Sequence, residues 1–86
     1  MSMDHKFNAA AEAVQSLSRR PDNATLLRLY ALFKQASVGD VEGEPPSAFD
    51  FKARAKYNAW ADLEGMSSED AKQAYIDLVA ELQSQD

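Results

Sequence analysis

An all-α domain of four helices is the fold class that the sequence predicts, and three observations predict it. Apolar residues recur at spacings of three and four in four segments, short runs with glycine or proline divide those segments, and no run alternates convincingly with period two. The first helix is expected from about Asp4 to Leu17, where Phe7, Ala10, Val14 and Leu17 line one face, and Arg19-Arg20-Pro21-Asp22 ends it. The second opens near Asn23, with Asp22 or Asn23 able to accept from the first free amides, and runs to Val38 before Gly39, a residue suited to a left-handed cap. Asp40 to Phe49 has no period and holds two adjacent prolines, which predicts an ordered surface loop, the longest connection. A third helix follows Asp50, runs to about Leu63 and stops at Gly65. Ser67, followed three residues later by Asp70, has the shape of a capping box and opens a fourth helix to about Gln83. With no internal repeat and no low-complexity segment, these elements read as one four-helix bundle.

The 86 residues, 45% hydrophobic and 27% charged, fit a single globular domain over residues 1–86. A chain this short buries only about 60 to 65% of its extended surface, so function is expected in a groove or on a surface rather than in a deep enclosed site. No stretch has the roughly 18 to 20 apolar residues of a membrane span, and Met1-Ser2-Met3-Asp4-His5-Lys6 lacks the apolar region of a signal peptide, so a cytoplasmic protein without stable membrane insertion is expected. The absence of cysteine excludes disulfides, thiolate catalysis and cysteine-ligated zinc. A net charge of -5 argues against a nucleic-acid partner. That charge is uneven: residues 62–86 hold seven acids and the one base Lys72, leaving the rest of the chain at +1, so an anion is expected to bind outside the last helix.

At about 100° per residue the apolar arc of the second helix spans about 220°, from Leu32 and Leu29 through Phe33, Leu26 and Tyr30 to Leu27, about twice the stripe of a surface helix. Such a helix lies between two neighbours, or packs on one side and meets a ligand on the other. Lys34 falls inside this arc between Tyr30 and Leu27, and Lys56 falls inside an apolar arc with Lys52, Ala59, Trp60 and Leu63 on the third helix. Each lysine can snorkel over apolar neighbours. Alternatively both converge on one anion with the Tyr30 hydroxyl as a third donor, each charge-assisted bond contributing about 1.5 to 3 kcal/mol. Lys72, between Ile76 and Val79, passes the same test, leaving three candidates. Among the aromatics, Tyr30 and Tyr75 are the better ligand candidates because a buried phenol needs a hydrogen-bond partner, and Trp60 is read as the core anchor. Catalysis and metal binding find little support: His5 is the one histidine, there is no cysteine to pair with it, and Asp40, Glu42 and Glu44 read as a solvated acidic loop rather than a calcium loop.

Three stretches carry a resemblance. Tyr30-Ala31-Leu32-Phe33-Lys34-Gln35-Ala36-Ser37-Val38-Gly39-Asp40, Asp50-Phe51-Lys52-Ala53-Arg54-Ala55-Lys56-Tyr57-Asn58-Ala59-Trp60 and Ala74-Tyr75-Ile76 closely resemble the acyl-CoA-binding protein family, and the similarity runs from Phe7 to about Leu82. The resemblance implies a four-helix bundle with a shallow bowl that holds long-chain fatty acyl-CoA esters, the acyl chain shielded in a groove between helices and the nucleotide near the rim. Carried over by position, it makes Tyr30, Lys34 and Lys56 the contacts to adenosine and its 3'-phosphate, with Ala31, Leu32 and Phe33 beside them and Tyr75 a ligand-contacting tyrosine on the fourth helix. It leaves Lys72 out. Gln15 stands where relatives often carry a basic residue, Phe33 where tyrosine is common and Tyr57 where tryptophan is common.

The function expected is therefore non-covalent carriage of medium- to long-chain acyl-CoA by a monomer, with no cofactor, no metal and no chemistry of its own. Two other readings stay open. A helical adaptor docking a partner helix in the same groove would not require the Tyr30, Lys34 and Lys56 cluster, and a thioesterase-like enzyme would need a nucleophile that the sequence does not identify.

Overall fold

Every helix of the computed structural model, which describes residues 2–86, begins where a short polar side chain takes up a free amide. The elements are α1 (Met3–Gln15), α2 (Asn23–Ser37), α3 (Phe51–Ala61) and α4 (Ser68–Gln85). Ser2 Oγ accepts from the His5 amide at 3.2 Å, Asp22 Oδ1 from Thr25 at 2.8 Å, Asp50 Oδ1 from Ala53 at 3.2 Å and Ser67 Oγ from Asp70 at 3.0 Å. Such caps contribute about 1 kcal/mol each. At the far ends, Gly39 and Gly65 adopt φ of +100° and +90°, the left-handed region that favours glycine. α1 stops two residues short of Leu17, which leaves the helix and lines a pocket together with Leu82. α3 ends at Ala61, and Leu63 lies in a series of tighter three-residue turns, its amide bonded to the Trp60 carbonyl at 3.0 Å.

Contacts far apart in sequence give the direction of each helix. Lys72 Nζ reaches Asp4 Oδ1 at 2.6 Å and Ser18 Oγ reaches Asp86 Oδ1 at 2.7 Å, both pairs 68 residues apart, so α1 and α4 run parallel. Ser68 Oγ donates to the Ala36 carbonyl at 2.6 Å, which sets the start of α4 against the end of α2 and makes these two antiparallel. Lys56 lies over Tyr30 and Lys34 over Trp60, a step of four in the same sense on both helices, so α2 and α3 are parallel.

A parallel pair needs a connection long enough to return along the helix, here about 22 Å for the 15 residues of α2. Residues 39–50 supply it. On α3, Arg54 Nη1, Tyr57 Oη and Trp60 Nε1 donate to the carbonyls of Pro46, Gly43 and Gly39 at 2.9, 3.3 and 2.8 Å. The loop thus runs antiparallel to α3 and is fastened at every turn, and Tyr57 serves as one of its fastenings.

The packing order is α1, α4, α2, α3, a row rather than a closed ring, and the Cα envelope measures 37 × 27 × 15 Å. Phe7, Ala10, Leu29, Leu32, Ala36, Ala71, Tyr75 and Val79 form the core, all on α1, α2 and α4. α3 contributes no buried residue. Trp60 is accordingly not the core anchor that its apolar arc predicts. It is half-buried because α3 packs against α2 alone, and its ring forms a wall facing Lys34.

Asp40 also departs from expectation. Its Oδ1 accepts from the Gly65 amide at 2.9 Å and from Nε2 of the fully buried Gln35 at 2.8 Å, and that Nε2 also donates to the Met66 carbonyl at 2.8 Å. The Gly65 amide, then the Gln35 amide, hold the Asp40 carboxyl below the ordinary carboxylate range. The Ser18 hydroxyl, followed by the Ser18 amide, does the same for Asp86. A lowered folded-state pKa contributes stability that is present above the unfolded value, about 3.9, and is lost as pH falls through the folded value. The melting temperature is expected to hold from pH 7 down to that region and then drop. Asp40→Asn and Asp86→Asn should each flatten the drop, and an unchanged acid limb in both variants would remove these carboxylates from the account.

Candidate ligand-binding site

The wide apolar arc of α2 divides between two neighbours. Leu29, Leu32 and Ala36 enter the core with α4, while Leu26, Leu27 and Tyr30 line a cleft shared with α3. This cleft encloses about 490 Å³. Its apolar wall is Leu26, Leu27 and Ala55, its polar wall adds Arg20, Asn23, Tyr30, Lys52 and Lys56, and it contains no carboxylate. In a chain of net charge -5, three cations against no acid give this cleft a local positive charge.

Two lysines cross the α2–α3 seam in opposite directions. Lys34 on α2 holds its Nζ 5.3 Å from the centroid of Trp60 on α3, and Lys56 on α3 holds its Nζ 5.2 Å from that of Tyr30 on α2. A cation over a ring gains about 0.5 to 1 kcal/mol at exposed sites. A charge-assisted bond to a phosphate oxygen gains about 1.5 to 3 kcal/mol. Either ammonium would therefore gain by exchanging its ring for a phosphate oxygen.

The remaining predicted residues fall in other places. Lys72 is paired with Asp4, which removes it from the three lysine candidates. Phe33 is partly exposed and stacks on Phe7 at 5.4 Å. Tyr75 departs from its reading as a groove tyrosine: its ring is 4% exposed and meets Phe7 and Phe33 edge-on at 5.2 and 6.0 Å. Burial pushes its phenol pKa up. Ala31 and Leu32 are buried, so their side chains pack the helix while Tyr30, Phe33 and Lys34 face outward. Gln15 is exposed at the end of α1, which packs on α4, and the structure does not bring it to the α2–α3 cleft.

Of the cleft residues only Tyr30 and Lys56 belong to the predicted set; Asn23, Leu26, Leu27 and Ala55 are absent from it, and so are two of the three cations, Lys52 and Arg20. Lys52 shares the arc of Lys56 on a helical wheel, one turn earlier, and that signal was available. Arg20 lies in the turn before Pro21 and the Asp22 cap of α2 and belongs to no periodic pattern.

The family model described as acyl CoA binding protein matches residues 4–79, nearly the whole chain. The chain belongs to the acyl-CoA-binding protein family. Within that family it is 52% identical over 77 residues to the "Acyl-CoA-binding protein homolog" of Drosophila melanogaster, covering 90% of each chain. It is 49% identical over 76 residues to the "Acyl-CoA-binding protein" of Saccharomyces cerevisiae, covering 88% of this chain and 87% of that one. The crystal structure of Oryza sativa Acyl-CoA-Binding Protein 2 superposes with a TM-score of 0.92 at 37% identity, covering 96% of this chain and 90% of that one. The all-α, four-helix architecture is thus that of solved acyl-CoA-binding proteins.

Proposed function

We propose that this protein binds medium- to long-chain fatty acyl-CoA esters non-covalently and carries them as a cytoplasmic monomer, without chemistry of its own. The observation that carries the reading is the crossed pair, Lys34 over Trp60 and Lys56 over Tyr30, beside a cleft whose wall is Leu26, Leu27 and Ala55. Acyl-CoA is an amphiphile with several negative charges, and it needs a small cluster of cations next to apolar surface rather than a basic protein. In this reading Tyr30, Lys34 and Lys56 hold the adenosine 3'-phosphate and the acyl chain lies along the cleft. Each methylene buried there is worth about 0.8 kcal/mol before ordering costs. Tyr75 takes part through its hydroxyl, since its ring is buried against Phe7 and Phe33. Membership of a family whose relatives are named for acyl-CoA binding supports the same ligand class. No helix is long and apolar enough to cross a membrane among the described residues.

Calorimetric titration with palmitoyl-CoA, free palmitate and free CoA tests the reading. Palmitoyl-CoA is expected to bind far more tightly than either part, because head and chain are held at adjacent places. Equal affinity for palmitate and palmitoyl-CoA would overturn the nucleotide half of the site.

A further inference from the structure

Arg20 is the one residue common to the walls of two cavities, the α2–α3 cleft and a pocket of about 350 Å³ between the α1–α2 turn and the end of α4. That second pocket has its own apolar wall of Leu17, Pro21 and Leu82. We propose that Arg20 closes the far end of the cleft and so sets the longest acyl chain that binds, an inference that rests on the acyl-CoA reading above. From Tyr30, at the phosphate end, to Asn23, at the Arg20 end, α2 rises about 10 Å over seven residues. A lipid acyl chain spans one leaflet, about half of the ~30 Å hydrocarbon core of a bilayer. A long chain anchored near Tyr30 therefore overruns the cleft and meets Arg20.

The guanidinium is a stop for chemical reasons. It forms no hydrogen bond or ion pair among the described residues, so water satisfies it, and a methyl terminus passing it must strip that water without offering a polar partner. The backbone before it is held: Asp86 accepts from the Ser18 amide and hydroxyl at 3.1 and 2.7 Å and from the Arg19 amide at 3.2 Å. Beyond the stop, the wall of Leu17, Pro21 and Leu82 offers apolar surface that a chain would cover once the charge is gone.

The experiment is a titration series of saturated acyl-CoA esters from butanoyl to icosanoyl, with wild type, Arg20→Ala, Arg20→Met and Arg20→Lys. In wild type the affinity is expected to rise by up to about fourfold per methylene and then level off. Arg20→Ala and Arg20→Met should carry the rise to longer chains than in wild type, while Arg20→Lys keeps the wild-type plateau. The same plateau in all four proteins overturns the proposal. An equal loss at every chain length, shared by free CoA, also overturns it and makes Arg20 a phosphate contact. If wild type binds no ester of the series, the acyl-CoA reading itself falls, an outcome distinct from a plateau that fails to move.

Discussion

Lys34→Met and Lys56→Met are each expected to weaken palmitoyl-CoA binding about 10- to 150-fold while the melting temperature stays near that of wild type. Methionine keeps most of the apolar stem and removes the ammonium. The ring contacts at Trp60 and Tyr30 are lost with it, but they contribute only about 0.5 to 1 kcal/mol to folding. Because binding already requires each ammonium to leave its ring, the lower half of the range is the better expectation. Acyl-dephospho-CoA, which lacks the 3'-phosphate, should bind wild type more weakly and be nearly indifferent to both substitutions. Lys72→Met is the internal control, since its ammonium is engaged by Asp4. Tyr75→Phe keeps the ring in the aromatic cluster and removes one hydroxyl, so a loss of about 2- to 10-fold is the most it can produce if that group meets the ligand. Should the dephospho ligand lose as much affinity as the intact one at Lys34 and Lys56, the 3'-phosphate is not what those lysines hold.

The largest effect on folding is expected from Leu32→Ala. Its side chain is 0% exposed and belongs to the cluster that joins α1, α2 and α4, so the cavity left behind costs about 3 to 5 kcal/mol. Against the roughly 5 to 10 kcal/mol that a small domain possesses, that lowers the melting temperature by at least about 10 °C. Trp60→Ala, although it removes more atoms, is expected to cost about half as much: the half-buried ring gives up its bond to the Gly39 carbonyl and its face to Lys34, and the core is untouched. Thermal unfolding of the two variants side by side decides the order, and the reverse order would return Trp60 to the core.

What was legible in the sequence was local. Ser67 caps its helix as expected, Asp22 is the one of the two expected candidates that caps α2, and Asp50 caps the helix expected to follow it, because capping depends on a side chain and an amide three residues away. Gly39 and Gly65 end α2 and the α3 turns for similarly local reasons. An apolar arc shows which face is covered but not how deeply. Tyr75 lies deep because α4 stands between α1 and α2, and Trp60 stays shallow because α3 has one neighbour. The lysines show the same limit, for Lys34, Lys56 and Lys72 are alike on a helical wheel. Only the fold reveals that Asp4, 68 residues from Lys72, engages the third of them. The resemblance to the family had already separated that lysine from the other two, because shared motifs carry long-range information that periodicity lacks. Arg20 lay beyond both routes: it has no period, and its place between two cavities exists only after α1, α2 and α4 have met.

The parallel pairing of α1 with α4 bears on how the chain is made. α1 emerges first during synthesis, yet the helix that covers Phe7 and Ala10 is the last of the four to appear. Contacts spanning 68 residues demand a long loop closure, and they place this chain on the slow side for a helical protein of its size. Until Ser68 and the residues after it are available, the apolar face of α1 has no helix to pack on, and exposed faces of that kind are where nascent chains meet chaperones. A fragment ending at Met66 is expected to show fraying helicity without a cooperative thermal transition. A sharp transition in that fragment would mean that α1 finds a sufficient partner before α4 exists.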